Sequence, residues 1–290
     1  MAFGQPQQEP HAPVPTCPRH PDRPSYVRCQ RCGRPACPEC QRTAAVGVQC
    51  VDCVAQVNSQ RRQPQTVTGG RLTSGRPTVT YALIAVCVLL FGGQYLIPGL
   101  TDRLLYAGLY TGSEPWRMIT SMFLHSTGLI MHIAFNMYAL YILGRVLEPA
   151  LGHVRFAVLY LVAGFGGSVG VLLLAAPNVA VVGASGAVFG LFGAFMVITK
   201  AHGGNLVPVL VIIGINLVIG FLPGANIAWQ AHVGGLVVGG AVAAVLVFSP
   251  RGRNRAILQW GGIAVIVVVL GVLTWLGWAP IRAAYQPLMG

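Results

Sequence analysis

The sequence predicts an all-α polytopic membrane protein preceded by a small zinc-binding domain, and three observations predict it. Long apolar runs fill residues 77–290, and seven of the eight Cys stand before residue 54, six in closely spaced pairs and one beside a His. Only 9% of the 290 residues are charged, and the mean hydropathy is +0.64. A soluble domain carries about 25% charged residues, so the deficit fits a chain solvated mainly by lipid.

Residues 1–16 are polar and Pro-rich and are expected to be disordered. The first apolar run starts near Val79, too late for a cleaved secretory signal. Within 17–53, Cys17 and His20 form a C-x2-H pair. Cys29 with Cys32, Cys37 with Cys40, and Cys50 with Cys53 form three C-x2-C pairs. Four such knuckles suit two tetrahedral zinc ions, because each turn aims two soft ligands at one metal. Disulfides would need an oxidising compartment. A unit of about 40 residues cannot bury enough core to fold alone, so the metal supplies folding energy. Spacing leaves alternating and sequential pairing both open. The pattern resembles a B-box-type zinc finger. That resemblance implies alternation: Cys17, His20, Cys37 and Cys40 on one ion, Cys29, Cys32, Cys50 and Cys53 on the other. The Arg residues between the knuckles read first as a solvated face, with a cytosolic protein as the partner class for this unit. Residues 54–78 are rich in Gln, Ser, Thr, Gly and Arg and read as a flexible linker.

A transmembrane helix needs about 20 mostly apolar residues. Seven runs qualify within 79–278: 79–98, 127–145, 155–175, 179–199, 205–222, 227–248 and 258–278, with 279–290 left as a tail. Basic loop residues set the orientation. Arg61, Arg62, Arg71 and Arg76, then Arg145 and Arg155, then Lys200, then Arg251, Arg253 and Arg255 all fall on one side if the N-terminus is cytoplasmic. The first loop, 99–126, is the exception, with Asp102, Arg103, Glu114 and Arg117 in balance. The expected place is the plasma membrane, with the zinc unit in the cytoplasm and the C-terminus outside. The net charge of +12 then reflects cytoplasmic loops, and nucleic acid is not an expected partner.

Strongly polar side chains inside a span mark functional sites by default. These are His132 and Asn136 in the second span, Ser185 in the fourth, Asn216 in the fifth and His232 in the sixth. Spans two, four and six run the same way. Counted from their outer ends, His132, Ser185 and His232 lie roughly 8–9 Å deep, with Asn136 one turn further. His132 and Asn136 share a helix face, as do His232, Gly235 and Gly239. Gly186 and Gly190 form GxxxG beside Ser185, which lets helix backbones approach closely. No Asp or Glu falls in a predicted span, so the inventory permits a Ser–His dyad rather than a triad. His232 would serve Ser185 as base, and the Ser185 amide, Asn136 and His132 offer donors for an oxyanion. A transporter would spread its polar groups across the membrane, and an intramembrane metalloprotease would want H-E-x-x-H, which is missing here.

The motifs are Glu114-Pro-Trp116-Arg117, His125, His132-Ile-Ala-Phe-Asn136, Gly183-Ala184-Ser185-Gly186, and Ala231-His232-Val233-Gly234-Gly235 with Gly239. In this order they resemble a rhomboid intramembrane serine protease, from about Tyr106 to Phe248. The resemblance implies a rhomboid-like six-helix core, to which 258–278 adds a seventh transmembrane helix. It implies Ser185 as nucleophile, His232 as general base, and His132, Asn136 and the Ser185 amide as oxyanion hole. Gly183, Gly186 and Gly235 support the site, and Phe189 is the ring that packs on the His. It implies single-span membrane proteins as substrates, lateral access near the fifth span, and no cofactor for the chemistry. The alternative is an inactive rhomboid-like protein that binds transmembrane helices, though such relatives usually lack the nucleophile or the His.

Overall fold

The computed structural model describes residues 14–60, 66, 68, 76–220 and 227–285. Most of the expected disordered N-terminus, much of the linker and the loop 223–226 lie outside them. The chain divides into two compact units, Met1–Gln63 and Pro64–Gly290.

In the first unit, β1 (Thr16–Cys17) pairs antiparallel with β2 (His20–Pro24), and β3 (Gln41–Thr43) pairs antiparallel with β4 (Val48–Cys50). Helix α1 (Val51–Gln60) follows at once, so the chain is helical well past residue 54, where the linker was expected to begin. Asp52 stands in its first turn, where the helix dipole favours an acid. The buried cluster of this unit is made almost wholly of cysteines, with Ala36 the exception.

The second unit carries seven apolar helices among the described residues. They are α2 (Thr78–Leu96), α5 (Ile130–Leu151), α6 (His153–Leu174), α7 (Ser185–Ala201), α8 (Val207–Gly220), α9 (Trp229–Phe248) and α10 (Arg255–Tyr285). All but α7 and α8 are long and apolar enough to cross a membrane, and those two are shorter apolar helices. Between α2 and α5 the first loop holds α3 (Leu100–Leu104) and α4 (Arg117–Thr120). Buried Arg117 organises it. Its guanidinium pairs with Glu114 at 2.8 Å, donates to the carbonyls of Asp102 and Leu105, and lies 4.2 Å over the Tyr110 ring.

Three expected boundaries move. Helix α5 runs on to Leu151, past the predicted end of its span at 145, and so takes in Glu148. Glu148 is fully buried because it accepts hydrogen bonds from the Val79 and Thr80 amides and the Thr80 hydroxyl, capping α2. Gly152, at φ 86, then turns the chain directly into α6. Helix α7 starts at Ser185 rather than near 179. Gly183 (φ 133) interrupts the run, and Val181 pairs with Tyr106 instead of continuing a helix. Helix α10 extends through Tyr285, into the expected tail.

Glycines on α6, α7 and α9 set the core. A Cβ at Gly235 would overlap the Gly186 carbonyl, one at Gly239 the Gly190 backbone, and one at Gly234 the Gly166 carbonyl. Backbones this close gain dispersion and weak C–H contacts without needing a hydrophobic drive, which lipid does not supply.

Candidate active site

The first turns of α5, α7 and α9 meet at one end of the bundle. Ser185 is the first residue of α7, and His132 and His232 lie in the first turns of α5 and α9. The three residues share one level of the bundle because each lies in the first turn of its helix, rather than several residues inside a longer span as expected. These helices begin at that level, and none continues past it.

Half-buried Ser185 and buried Phe189 are one turn apart on α7. The Phe189 ring stacks on the His232 imidazole, with centroids 4.1 Å apart and planes 7° from parallel. That stack places His232 on the Ser185 face of α7. The Gly186–Gly235 approach brings the two backbones close enough to allow it. Nδ1 of His232 is buried and has no hydrogen-bond partner among the described residues, and neither α7 nor α9 contains an acid.

His132 is oriented from the backbone. The Ser126 N–H donates to its Nδ1 at 3.1 Å, so the neutral ring carries its proton on Nε2. That Nε2 faces Gly183, where an added Cβ would sit 2.9 Å from it and 3.7 Å from the Ser185 hydroxyl. Asn136, one turn on and buried, gives one amide hydrogen to the His132 carbonyl at 2.8 Å and keeps a second donor. The Ser185 N–H, as the first of α7, has no intrahelical acceptor. A serine hydroxyl, an imidazole and three N–H donors thus gather at the starts of α5, α7 and α9. Such a set can activate a hydroxyl and hold a developing negative oxygen.

Supporting groups that sequence reasoning passed over act mainly through the backbone. Gly183 N–H donates to the Ser121 carbonyl at 3.0 Å, and Tyr106 and Val181 exchange two backbone hydrogen bonds at 3.2 and 2.7 Å. Gln94 of α2 clamps both backbone groups of buried His125, whose ring lies 5.4 Å from His132. His125 is outside α5. Asn216 does not join the site; it faces outward and bonds back to Ile212 on its own helix.

The metal ligands fall into two groups, Cys17, His20, Cys37 and Cys40, and Cys29, Cys32, Cys50 and Cys53. Within each, the ligand atoms all lie within 4.8 Å of one another. Tetrahedral zinc with Zn–S bonds near 2.3 Å separates its sulfurs by about 3.8 Å, so both groups fit a structural zinc ion. The knuckles alternate. Nδ1 of His20 faces its cluster, 3.2 Å from the Cys37 sulfur and 3.4 Å from that of Cys40. Backbone N–H groups, Cys37 foremost, hold the Cys17 thiol down at about 6. Burial and its neighbouring thiols push Cys40 up to about 11. Such a cluster favours a cation that lets all its sulfurs ionise together.

Residues 112–249 match the Rhomboid domain, and residues 12–45 match the B-box zinc finger. RHOMBOID-like protein 6, mitochondrial, of Arabidopsis thaliana is 40% identical over 147 residues, 48% of this chain and 46% of its own length. Rhomboid protease GluP of Bacillus subtilis is 34% identical over 215 residues, 69% of this chain and 40% of its own. Putative rhomboid protease YdcA of Bacillus subtilis is 30% identical over 149 residues, 49% of this chain and 71% of its own. The chain thus spans less than half the length of the first two relatives and most of the third.

Proposed function

The chain belongs to the rhomboid family, and we propose that it is an intramembrane serine endopeptidase acting through a Ser185–His232 dyad. The observation that carries this reading is the convergence at the start of α7. Ser185 opens the helix, His232 is held on its face by the Phe189 stack, and His132 aims an N–H at the turn beside it.

In the proposed reaction His232 takes the Ser185 proton as the hydroxyl oxygen attacks a peptide carbonyl. The resulting oxyanion sits against the Ser185 amide, Nε2–H of His132 and the amide of Asn136, at the positive end of α7. His232 returns the proton to the leaving amine, and the acyl-enzyme remains. Water then attacks the ester with His232 again as base, releasing the acid and restoring Ser185. With no acid on α7 or α9, stacking on Phe189 rather than a carboxylate orients the imidazole.

The substrates in this reading are single-span membrane proteins whose helix opens at the Ser185 end of the bundle. Helix α8 supports lateral access beside α7. It buries Val209 and Ile213, and turns Leu210, Val211 and Ile215 outward. The Arg distribution supports a cytoplasmic zinc unit and a cutting face on the other side of the plasma membrane. A cytosolic protein is the partner class for the zinc unit.

The test is cleavage of a single-span reporter by purified protein in liposomes, with Ser185→Ala and His232→Ala alongside. Wild-type cutting that both variants abolish is the expected result. Cutting that survives Ser185→Ala would sink the mechanism. A folded wild type that neither cuts nor labels with a fluorophosphonate would instead be an inactive rhomboid-like helix binder.

A further inference from the structure

We propose that α10, which lies outside the Rhomboid domain match, is a positioning element for the active site, with Trp278 and Ile281 bracing the loop that leads to Ser185. The inference rests on the reading of Ser185 as nucleophile.

The middle of α10 is an ordinary lipid-facing helix, with Val265, Val268 and Val272 exposed. Its C-terminal turns differ. Ile281 is buried and Trp278 is half-buried. The indole lies across Gly112 of the first loop so closely that a Cβ there would overlap the ring. A Cβ at Gly108 would come 3.4 Å from Ile281 Cδ1. The Arg282 guanidinium covers the indole at 5.4 Å, and Gly277 lets the helix settle against Leu172 and Leu173 of α6. Helix α10 therefore presses on residues 108–112, with its own backbone fixed behind it.

The other side of that stretch holds the segment before Ser185. Leu109 N–H donates to the Pro177 carbonyl at 3.0 Å, and the Pro177 backbone lies 3.3 Å from a Cβ placed on Gly108. Tyr106 and Val181 exchange their two backbone hydrogen bonds, and the Tyr106 hydroxyl bonds Thr111 at 2.8 Å, closing the stretch on itself. Residues 106–112 thus form a slab, with α10 on one side and 177–181 on the other. The 175–184 segment has no helix of its own to fix it. Its position comes from these bonds and from Gly183 on Ser121. Gly183 and Ser185 follow directly, so movement of the slab moves the nucleophile and the donors around it. Displacement of reacting groups by about 1 Å from a remote change can lower rate by up to about a hundredfold. An α10 that served only as a further membrane anchor would not need an indole seated on a glycine.

The test uses the full-length protein in liposomes and the variants Trp278→Ala, Trp278→Phe, Gly112→Ala, the Gly112→Ala/Trp278→Ala pair, and Val268→Ala as a lipid-facing control. Three quantities are read: kcat and KM on a single-span reporter, the rate of fluorophosphonate labelling at Ser185, and amide exchange across 181–183. Trp278→Ala is expected to lower kcat and labelling about tenfold at near-constant KM, with Trp278→Phe restoring most of both. Gly112→Ala, which drives a methyl into the indole, is expected to do the same. The double variant should be no worse than either single, because the collision is gone. Exchange at Val181 and Gly183 should quicken in Trp278→Ala while the α7 and α9 cores stay protected. Wild-type kcat, labelling and exchange in Trp278→Ala would overturn the brace, as would losses that simply add in the double variant. A wild type that neither cuts nor labels would defeat the protease reading alone; the exchange comparison would still decide whether α10 holds the 181–183 segment.

Discussion

Phe189 and His132 do most to define what Ser185 can do. A neutral imidazole with no carboxylate behind it must be oriented by something else, and the near-parallel Phe189 ring is that support. Such aromatic pairs are worth about 0.5–1.5 kcal/mol beyond buried area, so Phe189→Ala should lower kcat by roughly three- to tenfold. Phe189→Tyr keeps the stack and should hold kcat near wild type. Steady-state cleavage in liposomes separates the two, and an unchanged kcat in Phe189→Ala would show that the stack does not orient the base. His132 presents its Nε2–H because Ser126 occupies the other nitrogen. Removing one such donor typically lowers kcat about a hundredfold, so His132→Ala should show that loss with KM little changed. An equal rise in KM instead would mean that His132 binds substrate rather than the oxyanion. Ser185, His132, Asn136 and His232 were legible in the sequence because strongly polar side chains inside apolar runs are rare. Ser121, Tyr106 and Val181 were not, since they act through peptide groups that every residue carries. Asn216 was a polar residue of a predicted span that the site does not use, because hydropathy does not say which face of a helix meets the bundle.

Among the elements, α5 and α7 depart furthest from the sequence expectation, and both departures have a local cause. A hydropathy run stops at Arg145 and Glu148 because it counts a carboxylate as solvated. Here Glu148 is solvated by protein, taking the Val79 and Thr80 amides and the Thr80 hydroxyl, with His153 at its other side. Gly144, one turn earlier, lets Thr80 approach. The carboxylate is thus the N-terminal cap of α2, supplied by a different helix. Losing a cap and leaving buried donors without an acceptor should cost about 3 kcal/mol in Glu148→Ala. Glu148→Gln, which keeps one acceptor oxygen, should cost less. Reversible unfolding in bicelles measures both, and a wild-type stability for Glu148→Ala would show that water replaces the carboxylate at no loss. For α7 the error runs the other way. Val179 to Val182 are apolar enough to be counted as helix, yet the Tyr106 backbone claims Val181 and Gly183 takes a φ that a continuing helix cannot use. The same interruption makes Ser185 the first residue of α7.

At the scale of the whole molecule, the division into two units follows from composition: one part has too little apolar surface to fold without metal, and the other has too much to fold in water. In Met1–Gln63 the buried residues are largely the ligands themselves, so zinc and fold are one equilibrium there. In the membrane unit no ligand group occurs among the described residues, and its core is built from α5, α6, α7 and α9. Even the linker's Thr68 is bonded within that unit, to the Leu151 carbonyl and to Gln259 of α10. The chain should therefore bind two zinc ions, and Cys17→Ser with Cys37→Ser should leave one, because those two ligands share an ion. Sequential pairing would place them on different ions, and the double variant would then lose both. Stripping the metal with 1,10-phenanthroline should unfold 17–53, seen as loss of amide protection there, and leave the labelling rate of Ser185 by a fluorophosphonate unchanged. A labelling rate that falls with the zinc, and returns when zinc is restored, would mean that the state of the metal unit is felt at the dyad, and that the two units do not act separately.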